Sequence, residues 1–242
     1  MQDQETREQL VSACHILAAT GHNDFVWGHV AVRASDETGV WMKPSGLGME
    51  EVGLDDLVLV GWDGTVLSGH RRRHAEYPIH TRVMAARPDV SATVHTHVAS
   101  CTEFSSLDVP LRPISHEASY FAPHGVPGYT GTSDLILTDE LGDDVAHTLG
   151  DAYAAFLVGH GMVTVGGDLV EAVMAALLLD NACTKQLAAV ASGGPKRWTG
   201  EEEALAKRAN VYPRALLEQG WDYLARTHAS PVREGVRVGS RP

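Results

Sequence analysis

The chain has 242 residues, of which 44% are hydrophobic and 21% are charged, a composition typical of globular domains. Its 31 acidic residues outnumber its 19 lysines and arginines, so the formal net charge is −12. This acidic balance argues against nucleic-acid partners and against anionic membrane surfaces, because both require a basic face on the protein.

The cysteines and the first residues predict the compartment. The three cysteines are widely spaced and no CxxC pair occurs, so a disulfide framework is not expected. The polar segment 1–5 lacks the basic and apolar regions of a signal peptide. No apolar run reaches about 18 residues, the length that predicts a membrane span. We therefore expect a cytoplasmic protein that does not contact a membrane.

Hydrophobic periodicity predicts alternating helices and strands. The predicted strands cover residues 30–33, 40–43, 57–60, 65–67, 90–95, 154–158 and 162–165. The predicted helices cover residues 5–20, 77–86, a segment from about 99, 135–149, 169–191 and a last segment from about 199 through 224. Interleaved strands and helices predict a single α/β domain with a central sheet over residues 1–230, followed by a loose tail over 231–242.

Three histidines at the ends of predicted strands form a candidate metal site. His95 and His97 are two positions apart in an extended segment, so their side chains project to the same side. His160 lies between two glycines in a predicted turn. Three neutral imidazoles with an open position suit a catalytic zinc ion, and also Mn²⁺, Fe²⁺ or Co²⁺. Each motif read alone is equally well explained as a polar strand end or turn.

Glu76 opens the helix that precedes the His-x-His strand. Near a metal ion, a partly buried glutamate with a raised pKa is a candidate general acid/base. Read alone, Glu76 is better explained as an acidic residue that stabilises a helix N-terminus.

The order and spacing of these segments resemble the class II aldolase/adducin family over roughly residues 7–190. The segments that carry the resemblance are 28–33, 43–46, 75–80, 87–90, 94–97 and 159–163. The resemblance implies a three-layer α/β/α sandwich around a mainly antiparallel central sheet, usually assembled as a homotetramer. It also implies one divalent metal ion per chain, zinc or manganese first and iron or cobalt next, held by His95, His97 and His160. Glu76 then matches the catalytic acid/base, which in some members is also a ligand.

The chain departs from the family's sugar-phosphate aldolases where they bind phosphate. A Gly-Asn pair is replaced by Gly28-His29, and two serines before the glutamate are replaced by His74 and Ala75. Alanine cannot donate a hydrogen bond to a phosphate oxygen. We therefore expect a small anionic substrate with a carboxylate or phenolate group. The candidate substrate-binding residues are His29, Lys43, Ser45, Gly46 and His74.

Several of these interpretations have alternatives that the sequence leaves open. Lys43 is equally well read as a solvated charge at a strand end. His116, Tyr120 and His124 are further substrate-binding candidates, and a loop packed against a neighbouring subunit explains them equally well. The run 71–73 of three arginines is a solvated face or steers an anion. Trp27 lines an aromatic pocket or belongs to the core.

The functional hypothesis is a divalent-metal-dependent carbon–carbon lyase. We favour a decarboxylase of a hydroxylated aromatic or heteroaromatic carboxylate, because one branch of the family also lacks the phosphate-binding serines. The alternatives are a class II aldolase acting on a hydroxy-keto substrate, an iron-dependent oxygenase and an adducin-like non-catalytic module. A scaffold has no need of three metal-spaced histidines and an acid, which disfavours the last alternative. The helix around residues 221–224 is a candidate cover for a neighbour's site.

Overall fold

An eight-stranded sheet organises the part of the chain that this computed structural model describes, residues 2–107 and 109–228. The strands are β1 His29–Arg33, β2 Gly39–Met42, β3 Val58–Gly61, β4 Val66–Ser68, β5 Ala92–Thr96, β6 Gly128–Tyr129, β7 Ala154–Leu157 and β8 Gly161–Gly166. They lie in the order β4-β3-β2-β1-β5-β8-β7-β6. Within this part of the chain, only β6 and β7 pair in parallel, which confirms a mainly antiparallel sheet.

Eight α-helices accompany the sheet in the described residues. They are α1 Gln2–Leu17, α2 Tyr77–Ala86, α3 Ala99–Ser105, α4 His116–Ser119, α5 Asp139–Leu149, α6 Leu169–Ala191, α7 Glu201–Val211 and α8 Arg214–His228. A π-helical turn, Ala18–His22, follows α1, and two 3-10 turns, Met49–Glu51 and Leu54–Asp56, lie between β2 and β3.

The helices cover both faces of the sheet. Successive side chains of a strand point to opposite faces, and β1 shows this alternation. Val30 and Val32 pack into one core with α1, α3, α6 and α8, whereas Ala31 packs into a second core with α2 and α5. This arrangement confirms the three-layer α/β/α sandwich. The domain boundary at residue 230 stays a prediction, and the predicted tail over 231–242 lies outside the described residues.

The longest helix, α6, belongs to the core. Its first turn is capped by Asp168, whose carboxylate accepts a 3.0 Å hydrogen bond from the backbone N–H of Glu171. By length and apolar composition alone, α6 could cross a bilayer. It contacts β5 and β8, however, and buries 11 of its 23 residues in the fold, as the core helix of a layered α/β domain does.

The last predicted helix is wrong in one respect, because the structure divides it into α7 and α8. Pro213 lies between them, and a proline both lacks an N–H donor and disfavours helical geometry at the residue before it. Leu217 and Trp221 of α8 are buried in the same core as α1 and α6. The apolar face of this helix therefore covers its own chain, and a role as cover for a neighbour's site stays a prediction.

Candidate metal centre

The two central strands bring the three predicted histidines together. His95 lies on β5, His97 follows its end, and His160 lies in the turn before β8, the strand that pairs with β5. The glycine after His160 makes this approach feasible. A Cβ atom on Gly161 would lie 2.6 Å from the Thr96 carbonyl oxygen and 2.9 Å from His97 Cδ2, so any side chain there would push the turn away from β5.

Glu76 completes the cluster from the other side. One ligand atom from each of Glu76, His95, His97 and His160 lies within 4.8 Å of all the others. Glu76 Oε1 is 3.7 Å from His160 Nε2, and Glu76 Oε2 is 3.9 Å from His95 Nε2. Although Glu76 precedes α2, its side chain makes no capping hydrogen bond. It accepts instead a 2.8 Å hydrogen bond from the backbone N–H of Ile136. Glu76 therefore occupies the N-cap position of α2, but its carboxylate does not cap the helix.

The hydrogen bonds around the cluster test whether the residues suit a metal ion. His95 Nδ1 is 2.9 Å from the Met162 carbonyl oxygen, and His97 Nδ1 is 3.0 Å from the Asp24 carboxylate. Both Nδ1 atoms must donate to these acceptors. In the neutral rings that metal ligation requires, both Nε2 atoms then carry lone pairs. These two lone pairs face each other at 3.0 Å. Two nitrogens bound to one tetrahedral zinc ion lie about 3.3 Å apart, so a shared cation resolves the repulsion.

Burial sets the protonation states that ligation requires. It lowers the pKa of His95 well below 6.5 and, together with the neighbouring His97, lowers the pKa of His160 to about 4. Both imidazoles are therefore neutral at physiological pH, as metal ligands must be. Burial also raises the pKa of Glu76 above 4.5, and the hydrogen bond from Ile136 opposes part of this shift.

Two predicted substrate-binding histidines adjoin the cluster. The ring centre of His29 lies 4.9 Å from that of His95 and 4.4 Å from that of His74. His29 Nε2 is 3.8 Å from Glu76 Oε2. Among the described residues, this buried nitrogen has no hydrogen-bond partner. The geometry thus brings His29 and His74 to the edge of the cluster, where their role toward a substrate stays a prediction.

Lys43 lies on the same side, in the interior of the chain. Its side chain is fully buried, so its interpretation as a solvated charge is wrong. The ammonium group donates to the carbonyl oxygens of Val26, at 3.0 Å, and Pro44, at 3.3 Å, and lies 3.3 Å from His74 Nε2. Desolvation lowers the pKa of Lys43 to about 8. These contacts give Lys43 a structural role, and its binding of a substrate anion stays a prediction.

The remaining substrate-binding candidates are not joined to the cluster by any contact within the described chain. Ser45 and Gly46 are exposed in the loop after Lys43, and His116 and His124 are exposed elsewhere. The ring of Tyr120 is buried against Tyr153 and Tyr212, and this burial raises the pKa of its phenol. For Tyr120 the structure therefore shows a core contact where the sequence predicts a substrate contact.

The contacts and exposure of the arginine run 71–73 and of Trp27 decide between their alternative interpretations. Arg71 pairs with Asp56 at 2.6 Å, and the guanidinium of Arg73 lies over the Tyr77 ring, 4.0 Å from its centre. Only Arg72 of the three is exposed, so the run is not a uniform solvated face. Trp27 is 54% exposed, which rules out a core position. It lies in the turn that also carries Asp24, the partner of His97.

Three residues for which the sequence predicted no role contact His29, His97 or Glu76. They are Asp24, which orients His97, Ile136, which holds Glu76, and His80, whose Nε2 lies 2.6 Å from His29 Nδ1. For His80 a signal existed, because four residues after Glu76 is one helical turn further along the same side of the chain. Asp24 and Ile136 lie in loops whose path no local pattern predicts.

Comparison with known proteins identifies relatives of this chain. The family model described as "Class II Aldolase and Adducin N-terminal domain" matches residues 8–187. The 3,4-dihydroxyphthalate decarboxylase of Arthrobacter keyseri is 28% identical over 199 residues, which cover 78% of this chain and 80% of that protein.

The names of one further relative and of one solved structure state other reactions. The 4-hydroxy-3-prenylphenylpyruvate oxygenase/4-hydroxy-3-prenylbenzoate synthase of Streptomyces roseochromogenus subsp. oscitans is 36% identical over 158 residues, 64% of this chain and 56% of that protein. Among solved structures, L-fuculose 1-phosphate aldolase from Glaciozyma antarctica PI12 superimposes with a TM-score of 0.82 and 28% identity, covering 93% of this chain and 88% of that chain.

Proposed function

Because this chain belongs to the class II aldolase and adducin family, we propose that it is a divalent-metal-dependent decarboxylase of a hydroxylated aromatic or heteroaromatic carboxylate. Its family, with decarboxylase and aldolase relatives, identifies it as a lyase. The observation that carries the metal-dependent part is the 3.0 Å approach of the Nε2 atoms of His95 and His97, whose Nδ1 atoms both face acceptors. The substrate class is supported by the dihydroxyphthalate decarboxylase relative and by the missing phosphate-binding serines.

In this proposal His95, His97 and His160 hold the ion, and Glu76 lies beside it. When bound, a divalent ion supplies a Lewis acid for the electron pair that the broken carbon–carbon bond leaves behind. We propose zinc or manganese, and the same three imidazoles also suit Fe²⁺ and Co²⁺.

Glu76 performs the proton transfer in this mechanism. Burial raises its pKa, which suits a carboxyl group that must hold a proton and then release it to carbon. The Ile136 N–H fixes Oε1, so Oε2 is the oxygen left to exchange the proton. Oε2 lies on the side of His29 and His95, and we propose that the reacting carbon binds on this side of Glu76.

The substrate anion would bind where the chain differs from the sugar-phosphate aldolases. His29 and His74 form an imidazole-lined wall beside Glu76, and the ammonium of Lys43 stands behind His74. This wall supplies nitrogen donors inside a chain whose net charge is −12. A carboxylate or phenolate oxygen matches such donors.

Two other chemistries have an observation in their favour. Class II aldol cleavage of a hydroxy-keto substrate is supported by the fuculose-phosphate aldolase neighbour, and an iron-dependent oxygenase by the Streptomyces relative. An adducin-like non-catalytic module remains the alternative outside enzymes. We also propose a cytoplasmic homotetramer, the first supported by the free, buried thiols of Cys14, Cys101 and Cys183 and the second by family resemblance.

Metal analysis followed by product assays tests the proposal. The purified full chain is analysed for bound metal, reconstituted with Zn²⁺, Mn²⁺, Fe²⁺ or Co²⁺, and assayed for CO₂ release from hydroxybenzoates, dihydroxyphthalates and hydroxypyridine carboxylates. About one ion per chain together with CO₂ release supports the proposal. Metal without CO₂ release overturns the decarboxylase, and an aldehyde panel and O₂ uptake with Fe²⁺ then separate aldolase from oxygenase. No metal after reconstitution favours the adducin-like module.

A further inference from the structure

A line of three buried polar side chains runs from the sheet to Glu76. Thr93 Oγ1 on β5 contacts His80 Nδ1 on α2, and His80 Nε2 lies 2.6 Å from His29 Nδ1 on β1. His29 Nε2 then faces Glu76 Oε2 at 3.8 Å. Thr93, His80 and His29 are each at most 1% exposed. Solvent therefore does not compete for these contacts.

The proton order along this line follows from Thr93. Among the described residues, its hydroxyl has no partner other than His80. A buried O–H without an acceptor costs more than an unused lone pair, so Thr93 donates to His80 Nδ1. Burial lowers the pKa of His80 to about 3, so this ring is neutral and carries its one proton on Nε2.

The proton on His80 Nε2 fixes the protonation of the next ring, His29. His80 Nε2 donates to His29 Nδ1, which must then be the unprotonated nitrogen of His29. A histidine ring whose Nδ1 is unprotonated is neutral near pH 7. Its single proton is therefore on Nε2. The reverse order would leave the buried Thr93 O–H without an acceptor among the described residues.

We propose that Thr93 and His80 are positioning residues that fix His29 as a hydrogen-bond donor, with its Nε2–H directed at the Glu76 side of the site. A nitrogen that is fixed as a donor can form a hydrogen bond only with an atom that has a lone pair, such as a carboxylate or phenolate oxygen. This specificity toward the substrate rests on the proposed function, whereas the order of the hydrogen bonds does not. The line ends at a hydroxyl that does not ionise near neutral pH, so it orients His29 and does not conduct protons to solvent.

Histidine tautomers are read directly by nuclear magnetic resonance. The full chain as purified is labelled with ¹⁵N-histidine, and long-range ¹H–¹⁵N spectra report which nitrogen of each ring is protonated. The His29 signals are identified by their loss in His29→Asn. We expect His29 to be protonated on Nε2. Protonation on Nδ1 would overturn the proposal without any variant at Thr93.

Two variants of Thr93 separate positioning from packing. Thr93→Val keeps the shape and removes the hydroxyl, whereas Thr93→Ser keeps the hydroxyl and removes a methyl group. We expect Val to disturb the His80 and His29 signals and to lower kcat about tenfold, and Ser to restore both. Equal spectra and turnover for Val and Ser would overturn the proposal. If Val does not fold, wild type and Ser still decide it through the tautomer.

The readout distinguishes this inference from the proposed function. If no substrate turns over in any variant, the proposed function fails while the tautomer of His29 still tests the positioning line. If turnover is found and His29 is protonated on Nδ1, only the positioning line fails.

Discussion

The backbone N–H of Ile136 donates a 2.8 Å hydrogen bond to Glu76 Oε1, across 60 positions of the sequence. Ile136 is fully buried, while its neighbours Leu135 and Leu137 are about half exposed. A single buried anchor therefore holds a loop against the carboxylate. The anchor engages Oε1 of Glu76 and leaves Oε2 available for the proton transfer that we propose.

The first prediction concerns this carboxylate. Glu76→Gln keeps the side-chain shape and an oxygen for Ile136 but removes the transferable proton. We expect bound metal to stay near the wild-type amount and kcat to fall about 10²–10⁴-fold. Metal analysis and steady-state kinetics measure both, with the exposed Glu202→Gln as matched control. Normal turnover of Glu76→Gln would remove Glu76 from the proton-transfer step.

A second prediction concerns the carboxylate behind His97. Asp24 orients His97 by accepting from Nδ1 at 3.0 Å. Asp24→Asn removes the negative charge while keeping the side-chain size. We expect metal affinity to weaken about 10–100-fold, because such partners orient a ligand and raise its basicity. Competition with a chromophoric chelator measures the affinity, and the exposed Asp222→Asn is the control. Unchanged affinity would place the ion away from His97.

A third prediction concerns acid stability. Burial lowers the pKa of both His74 and His80 from 6.5 to about 3. At a pH between the folded and the unfolded pKa values, the unfolded chain binds more protons than the folded chain. The free energy of unfolding therefore falls as the pH falls below 6.5. Each ring contributes about 1.4 kcal/mol per pH unit to this loss.

Denaturant unfolding of the metal-free protein at several pH values between 6.5 and 4.5 measures this slope. His80→Gln removes one of the two rings, so we expect the slope to become shallower by about 1.4 kcal/mol per pH unit. The exposed His147→Gln is expected to leave it unchanged. If His80→Gln and His147→Gln give the same slope, His80 is protonated in the folded chain.

A fourth prediction concerns the exposed turn next to the site. The ammonium of Lys43 binds the Val26 carbonyl, while Phe25 and Trp27 on either side are 77% and 54% exposed. Lys43→Met removes this tether. We expect chymotrypsin cleavage at the two aromatic residues to accelerate about tenfold, as expected for the loss of a buried charged hydrogen bond. The exposed Lys196→Met, which loses only a surface contact, is the control. An unchanged cleavage rate would show that Asp24 alone holds the turn.

Local patterns predicted the elements whose ends carry chemical signals. The bounds of α2 and α6 agree with the predicted 77–86 and 169–191, because a helix-compatible Pro78 and the capping Asp168 mark their starts. The two-residue strand β6 was missed because its pairing with β7 depends on a distant segment. The break at Pro213 was missed although the residue carries the signal.

The residues of the candidate centre also divide into those that local patterns predict and those that depend on distant segments. His95, His97 and His160 are brought together as their positions at strand ends predict, because β5 and β8 are neighbours in the sheet. The residues that orient them come from elsewhere. Asp24 lies in a turn after a π-helical segment, and Ile136 in an irregular loop. Long-range packing, which no periodicity encodes, decides where these two residues lie.

The strand order also has a consequence for synthesis. The ribosome releases β1–β5 first, and these five strands are contiguous in the sheet as β4-β3-β2-β1-β5. His95 and His97 therefore emerge on an unpaired edge of β5, while His160 and its strand β8 follow more than 60 residues later. A nascent chain that stops before His160 has only two of the three histidines. Under the proposed function, binding of the metal ion is thus a late event in synthesis, coincident with closure of the sheet.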